Sequence, residues 1–214
     1  MVGKLDIDPA RPLIVCDADE VLVEFIKGLE RFLGRQELYL DLASFRIHGN
    51  VRHRTTHKPV DDHAVTRLID DFFAADTAIL DPVPGAADAL ATLQAEAQVI
   101  ILSNLPATAR EARAVNLARH GMPYPVLAGS GPKGTLLQPM IADMRAPVVF
   151  IDDLPPHHAS VASLLPHVHR LHFVADERLA RLVPPSPHAH ARIDTWPEAT
   201  RWIGTAIRGD GRAA

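Results

Sequence analysis

Asp17 and Asp19 stand one residue apart directly after the apolar run Leu13-Ile14-Val15-Cys16, and Asp152 and Asp153 close a second run, Val148-Val149-Phe150-Ile151. Carboxylates at the end of a buried strand are costly to desolvate unless something binds them. An Asp-rich turn capping the next helix accounts for one such pair. Two pairs on different runs point instead to a hard cation such as Mg²⁺, which takes carboxylate and carbonyl oxygens together with water. Two further pieces could handle phosphate. Ser103-Asn104 ends a third run, where a hydroxyl and the N–H groups opening a helix can hold phosphate oxygens, although Ser-Asn is also an ordinary helix cap. Lys133 lies in Gly131-Pro132-Lys133-Gly134, a turn opening a helix ahead of the Asp152 run, and a lone lysine there is commonly solvated.

These residues are far apart in sequence, so the fold must bring them together. Apolar runs of strand length recur at 13–16, 99–102, 125–127, 148–151 and 171–174, rich in Val, Ile and Leu without polar alternation. Such runs suit strands covered on both faces. Helical stretches separate them. Phe25, Ile26, Leu29, Phe32 and Leu33 share one face; residues 107–120 read as a helix stopped by Gly121, with Pro123 beyond. Thr195-Trp196-Pro197-Glu198 has the form of a capping box opening a last helix to about residue 207. Alternating strands and helices imply an α/β fold with a parallel sheet and right-handed crossovers. Open sheets of this class bind ligands at the carboxyl ends of their strands, where both acidic pairs and Ser103 fall.

About 80 residues separate the first two runs, too many for one crossover helix. Asp81-Pro82-Val83-Pro84-Gly85 and the stretch 86–96 read as a re-entry turn and helix. Before them, Val65, Leu68, Ile69, Phe72 and Phe73 line a strong helix with Asp61 or Asp62 as N-cap. The expectation is a small, mostly helical cap at 24–80 inserted into a core of residues 1–23 and 81–214, with no element assigned to 41–60.

In order the pieces read hhhhDxDxV, hhhS, K and hhhhDD, where h is apolar. This resembles the haloacid dehalogenase-like (HAD) superfamily, and the resemblance spans residues 12–175 outside the insert. It implies a Rossmann-like three-layer α/β/α core with strand order 5-4-1-2-3. It also implies that Asp17 is a nucleophile forming an aspartyl-phosphate and that Asp19 is the acid and then the base. Asp17, the Asp19 carbonyl and Asp152 would hold Mg²⁺ with Asp153 assisting, while Ser103, Asn104 and Lys133 would bind the phosphoryl oxygens. Dehalogenases of this pattern lack the second aspartate, since a halide leaves without a proton. Asp19 therefore favours a Mg²⁺-dependent phosphomonoester hydrolase acting on a small phosphorylated metabolite through that intermediate. A deoxyribonucleotidase-like enzyme, a phosphotransferase or phosphonate-cleaving relative, and a silent binding protein remain alternatives; Lys27 and Lys58 are the only candidates for a catalytic cap lysine. The chain departs from the common pattern at Glu20, where many relatives have glycine, and at Pro155-Pro156.

The 214 residues carry a net charge of −4 with 47% hydrophobic and 22% charged residues, the balance of a globular protein without global attraction for nucleic acid or anionic membranes. Cys16 is the single cysteine, so no intramolecular disulfide forms. The start is too acidic for a secretory leader and no run reaches the roughly 20 apolar residues of a membrane span, which together point to a cytoplasmic protein. Its expected partner is a small phosphorylated substrate, and a homodimer is compatible with the sequence. The twelve histidines form no set with zinc-ligand spacing. From 46 to 60 the chain carries Arg46, Arg52, Arg54 and Lys58 and no acid. That stretch is either a solvated basic loop paired to acids elsewhere or a set of cations facing the site to read a second anionic group on the substrate.

Overall fold

A computed structural model describes residues 5–209. The start of the chain and the last five residues, and with them the reading of the leader, lie outside the described residues. Along the chain run β1 (Leu13–Cys16), α1 (Phe25–Gly34), β2 (Leu38–Leu40), β3 (Val51–His53), α2 (Asp62–Asp76), α3 (Ala86–Leu93), β4 (Gln98–Asn104), α4 (Arg110–Arg119) and β5 (Val126–Gly129). They are followed by α5 (Lys133–Met140), β6 (Val148–Asp152), α6 (Pro155–Leu164), β7 (His169–His172), α7 (Glu177–Ala180), β8 (Ala191–Arg192) and α8 (Trp196–Arg208).

Six strands form one parallel sheet in the order β5-β4-β1-β6-β7-β8. The five expected strands take the expected order, and β8 adds a sixth at the edge. Successive residues of each strand point to opposite faces. Ile14, Cys16, Ile101 and Ile151 therefore join one core with residues of α1, α3, α4 and α8, while Leu13, Val15, Ile100 and Phe150 join another with Leu137 of α5 and Val161 of α6. Both faces are covered, which is why β1 is buried along its whole length.

Between β1 and α3 the chain makes α1, the antiparallel pair β2–β3 and α2. The expected apolar face of α1 is buried throughout; on α2, Val65, Phe72 and Phe73 are buried and Leu68 and Ile69 partly so. Asp61 is the N-cap of α2, accepting from the N–H groups of His63 and Ala64.

Three local expectations need correction. Residues 41–60 contain β3 and the long β2–β3 connection, so the insert is helical apart from a short hairpin. The fifth strand lies at His169–His172, starting two residues before its apolar run, because Arg170 is held in the strand by the carbonyls of Val168 and His188. Thr195 begins α8 but makes no capping bond to a backbone N–H; its Oγ1 donates to Glu198 Oε2 at 2.9 Å instead. Pro155 and Pro156 occupy the first turn of α6, where a missing N–H costs nothing.

Helices α5 and α6 pack backbone against backbone at Gly134, whose N–H donates to Ser160 Oγ at 3.1 Å. A Cβ at Gly134 would overlap the Ser160 carbonyl. Because Gly134 adjoins Lys133, this contact sets the height at which the lysine enters the interior. Gly134→Ala should lower stability by about 1–3 kcal/mol through overpacking, read by urea or thermal denaturation. Wild-type stability in that variant would show that the helices part at no cost.

Candidate active site

The Asp17 N–H donates to the Ile151 carbonyl at 2.9 Å, and Cys16 lies opposite Ile151 across the β1–β6 pairing. Two adjacent parallel strands thus end together and deliver Asp17 and Asp152 side by side. Asp17, Asp152 and Asp153 each offer an oxygen such that these atoms all lie within 4.8 Å of one another, the single group with metal-ligand geometry among the described residues.

One ammonium faces these three carboxylates. Lys133, 1% exposed, opens α5 and sets its Nζ 2.6 Å from Asp152 Oδ2 and 2.7 Å from Asp17 Oδ1. Both oxygens of Asp152 have a partner, since its Oδ1 accepts the Leu154 N–H at 2.9 Å. Burial, the largest single influence, would raise its pKa, but Lys133 together with His157 and His158 holds it below the ordinary carboxylate value. Asp17 is pushed up to about 7, by burial first and by the Asp152 charge, against the pull of Lys133. Burial and the charges of Asp152 and Asp17 push Asp153 well up too. Lys133 is itself held charged, because its two carboxylates outweigh the cost of burial. Asp17 Oδ1 meets the ammonium as an ion pair but receives no hydrogen bond of good geometry. A carboxylate oxygen has two lone pairs, so this one contact leaves it able to take a further cation. Hard oxygen donors, excess negative charge and carboxylate oxygens with spare lone pairs fit a divalent ion.

Two buried histidines steady the acidic pair from behind. His158 donates from Nε2 to the Asp152 carbonyl at 2.9 Å, and His172 from Nε2 to the Asp153 carbonyl at 2.8 Å. His172 Nδ1 accepts the Ser186 N–H at 3.0 Å, so both ring nitrogens are committed with the ring neutral. Its pKa falls to about 4, by burial and then by the Arg192 charge. In the insert, His48 pairs with Thr66 and His57 with Tyr39, and no histidine joins a group with metal-ligand geometry among the described residues.

Ser103, at the carboxyl end of β4, is fully buried and its Oγ has no hydrogen-bond partner. Asn104 lines the cleft, where its Nδ2 donates to the Gly131 carbonyl at 3.0 Å and lies 3.3 Å from His157 Nε2.

Glu20 sits where the resemblance expects glycine and keeps the left-handed backbone such a glycine provides, with φ +57°. Its buried carboxylate repays the strain: Oε1 accepts the Ile26 N–H in the first turn of α1 at 2.7 Å, and Oε2 accepts the Asp176 N–H at 3.1 Å. Glu20 therefore ties the Asp17–Asp19 loop both to the first helix of the insert and to the chain beyond β7. Burial raises its pKa to about 7.

Arg113 was not anticipated. It is fully buried on α4 and its Nη2 donates to Asp19 Oδ1 at 2.6 Å. Arg113, Asn116 and Leu117 are the buried residues of α4, a core stripe that includes a cation. An arginine on such a stripe was the available signal, since a buried guanidinium requires an acid. Asn116 of the same helix and His120 just past its end both bond the Leu80 carbonyl, so α4 also fixes the exit from the insert.

Asp17, Asp19, Asn104, Lys133, Asp153 and His157 line one side of a cleft of about 340 Å³ whose other walls come largely from the insert. Arg46 lines this cleft, but Arg52 and Arg54 do not. Arg52 Nε pairs with Asp41 at 2.8 Å and the Arg54 N–H donates to the Glu37 carbonyl, both within the hairpin region. For Arg52 the basic stretch is a loop paired locally, and Arg54 is tied to the hairpin region through its backbone. Of the two candidate cap lysines, Lys27 is bound to Glu24 at 2.6 Å and neither lines the cleft.

The sequence matches no protein-family model, and no curated protein resembles it. Solved structures do. A HAD family hydrolase from Deinococcus radiodurans R1, with bound phosphate and sodium, superposes with a TM-score of 0.62 at 17% identity over 93% of this chain and 97% of that one. YfnB from Bacillus subtilis, a HAD-hydrolase bound to magnesium, gives 0.62 at 13% over 91% and 98%. The L-2-haloacid dehalogenase from Xanthobacter autotrophicus, with chloropropionic acid covalently bound, gives 0.54 at 15% over 90% and 98%. At these identities the likeness is one of fold, and the chain has the haloacid dehalogenase-like fold. No helix among the described residues is long and apolar enough to cross a membrane.

The Asp19–Arg113 pair predicts an asymmetry. Asp19→Ala leaves a buried guanidinium uncompensated and should cost about 3–5 kcal/mol. Arg113→Met leaves only an aspartate that already faces the cleft and should cost clearly less. The double variant should recover most of the Asp19→Ala loss in a denaturation cycle, whereas simple additivity would mean that the pair carries no coupling.

Proposed function

We propose that this chain is a phosphomonoester hydrolase that attacks phosphorus with Asp17 and depends on Mg²⁺. The observation that carries the proposal is the buried Lys133 shared by Asp17 and Asp152, with Asp153 completing the carboxylate group and Asp19 beside it in the same cleft. A substrate phosphoryl group entering here meets a carboxylate nucleophile and a fixed ammonium together, which serves positioning and charge neutralisation at once. Asp17, the Asp19 carbonyl, Asp152 and Asp153 would hold Mg²⁺, which when bound neutralises phosphoryl oxygens and lessens repulsion between nucleophile and substrate.

In this reading Asp17 forms an aspartyl-phosphate as the ester oxygen leaves. Asp19 gives that oxygen a proton, then takes one from the water that releases phosphate. The Ser103 hydroxyl, buried without a partner, and the Asn104 amide would complete the hold on the phosphoryl oxygens. Residues 24–80 would act as a cap over the core of residues 1–23 and 81–214 and select the leaving group. Asp19 also separates this chemistry from halide displacement, in which no leaving oxygen needs a proton.

EDTA should abolish hydrolysis of a simple monoester and added Mg²⁺ restore it. Asp17→Asn should be inactive on every ester. Asp19→Asn should lose roughly 10²–10⁴-fold, least with a good leaving group such as p-nitrophenol. Full activity after rigorous metal removal, or in Asp17→Asn, would overturn the proposal.

A further inference from the structure

The two sides of the cleft differ in chemistry. Its polar and charged groups gather where the strands end, around Asp17, Lys133 and Asn104. The side contributed by the insert is apolar: Phe25 and Ile26 from α1, Ile69 and Phe73 from α2, Phe45 and Ile47 from the β2–β3 connection. The single charge on this side is the exposed Arg46.

Phe25 and Phe73 form a fixed wall, packed on each other at 5.7 Å between ring centroids and on Phe72 at 5.2 and 5.9 Å. Phe45, Ile47 and Ile69, by contrast, are only partly buried. Apolar surface left open inside a concave site gains free energy when an apolar ligand covers it. A sugar or other polyol placed there would lose water from hydroxyls for which this wall has no hydrogen-bonding side chain except Arg46 at the rim.

We infer that the leaving group is apolar, so that the substrate class is phosphate monoesters of aliphatic or single-ring aromatic alcohols. The phosphoryl group sits among Asp17, Lys133 and Asn104, and the carbon portion lies against the phenylalanine wall. This differs from the second anionic group that one reading of the basic stretch offered, because Arg52 is held by Asp41 and neither it nor Arg54 lines the cleft, which leaves Arg46 at the rim as the one cation of that stretch there.

The inference rests on the phosphatase reading for turnover but not for binding, so two series run in parallel separate the two. Non-hydrolysable alkylphosphonates from ethyl to hexyl are titrated by calorimetry in the presence of Mg²⁺, and the matching alkyl phosphates are assayed for kcat/KM. Each added methylene should improve phosphonate Kd and ester kcat/KM by about fourfold until the cleft is filled. Hexyl phosphate should outrun glucose 6-phosphate and glycerol phosphate by at least an order of magnitude. Phe45→Asn and Ile69→Asn, at partly exposed positions, should each flatten the chain-length slope.

Rising phosphonate affinity without turnover of any ester would uphold the apolar site and overturn the phosphatase reading. Turnover with a flat slope, or with polyol phosphates preferred, would overturn the apolar leaving group alone. Failure of every phosphonate to bind would overturn it as well.

Discussion

One ammonium buried among three carboxylates governs this molecule. Lys133 is 1% exposed and within 2.7 Å of both Asp17 and Asp152, while Asp153 adds a charge that the lysine does not offset. An interior cannot hold two excess negative charges cheaply. The balance is made either by protons, the direction in which Asp17 and Asp153 are pushed, or by a divalent cation. The surrounding framework serves to keep these groups close. Parallel pairing of β1 with β6 brings the aspartates together, the Gly134–Ser160 contact fixes the lysine's approach, and His158 and His172 hold the Asp152 and Asp153 carbonyls.

The same framework joins the insert to the chemistry. Glu20 is bonded to the start of α1 and to the Asp176 N–H, and Trp196 donates to the Val21 carbonyl at 2.9 Å from the far helix α8. Arg113 binds Asp19, while Asn116 on α4 and His120 just past it bind the Leu80 carbonyl where the insert ends. Both the entry to the insert and its exit are thus tied to elements that also hold the acidic loop. In the proposed hydrolase, recognition of a leaving group by the insert and placement of Asp19 would share a mechanical support.

Much of this was legible in the sequence because buried parallel strands write themselves as uninterrupted apolar runs, and polar residues at their ends need a reason. The five central strands, their order and the meeting of Asp17, Asp152 and Lys133 follow from that rule and from the family resemblance. What escaped notice has local physical causes. β8 is two residues long and β3 three, too short to show a period. The β2–β3 pair is joined by a long connection without a tight-turn pattern, so nothing in the sequence announced a hairpin. Arg170 sits inside β7 because carbonyls satisfy its guanidinium, which disguises the start of the strand. Arg113 went unremarked within the helix read at 107–120, since its partner lies 94 positions away. The apolar cleft wall was visible only as helix stripes, which one expects to face a core.

The central claim is that Asp17 is the nucleophile this charge arrangement exists to activate. The most direct test is chemical trapping. The protein is quenched with acid during turnover of a monoester and digested, and the phosphorylated residue is located by mass spectrometry with borohydride reduction of the acyl phosphate. The account predicts a single labelled carboxylate, Asp17, absent from Asp17→Asn. A label on any other residue, or sustained turnover with no covalent phosphoenzyme under any quench, would contradict it.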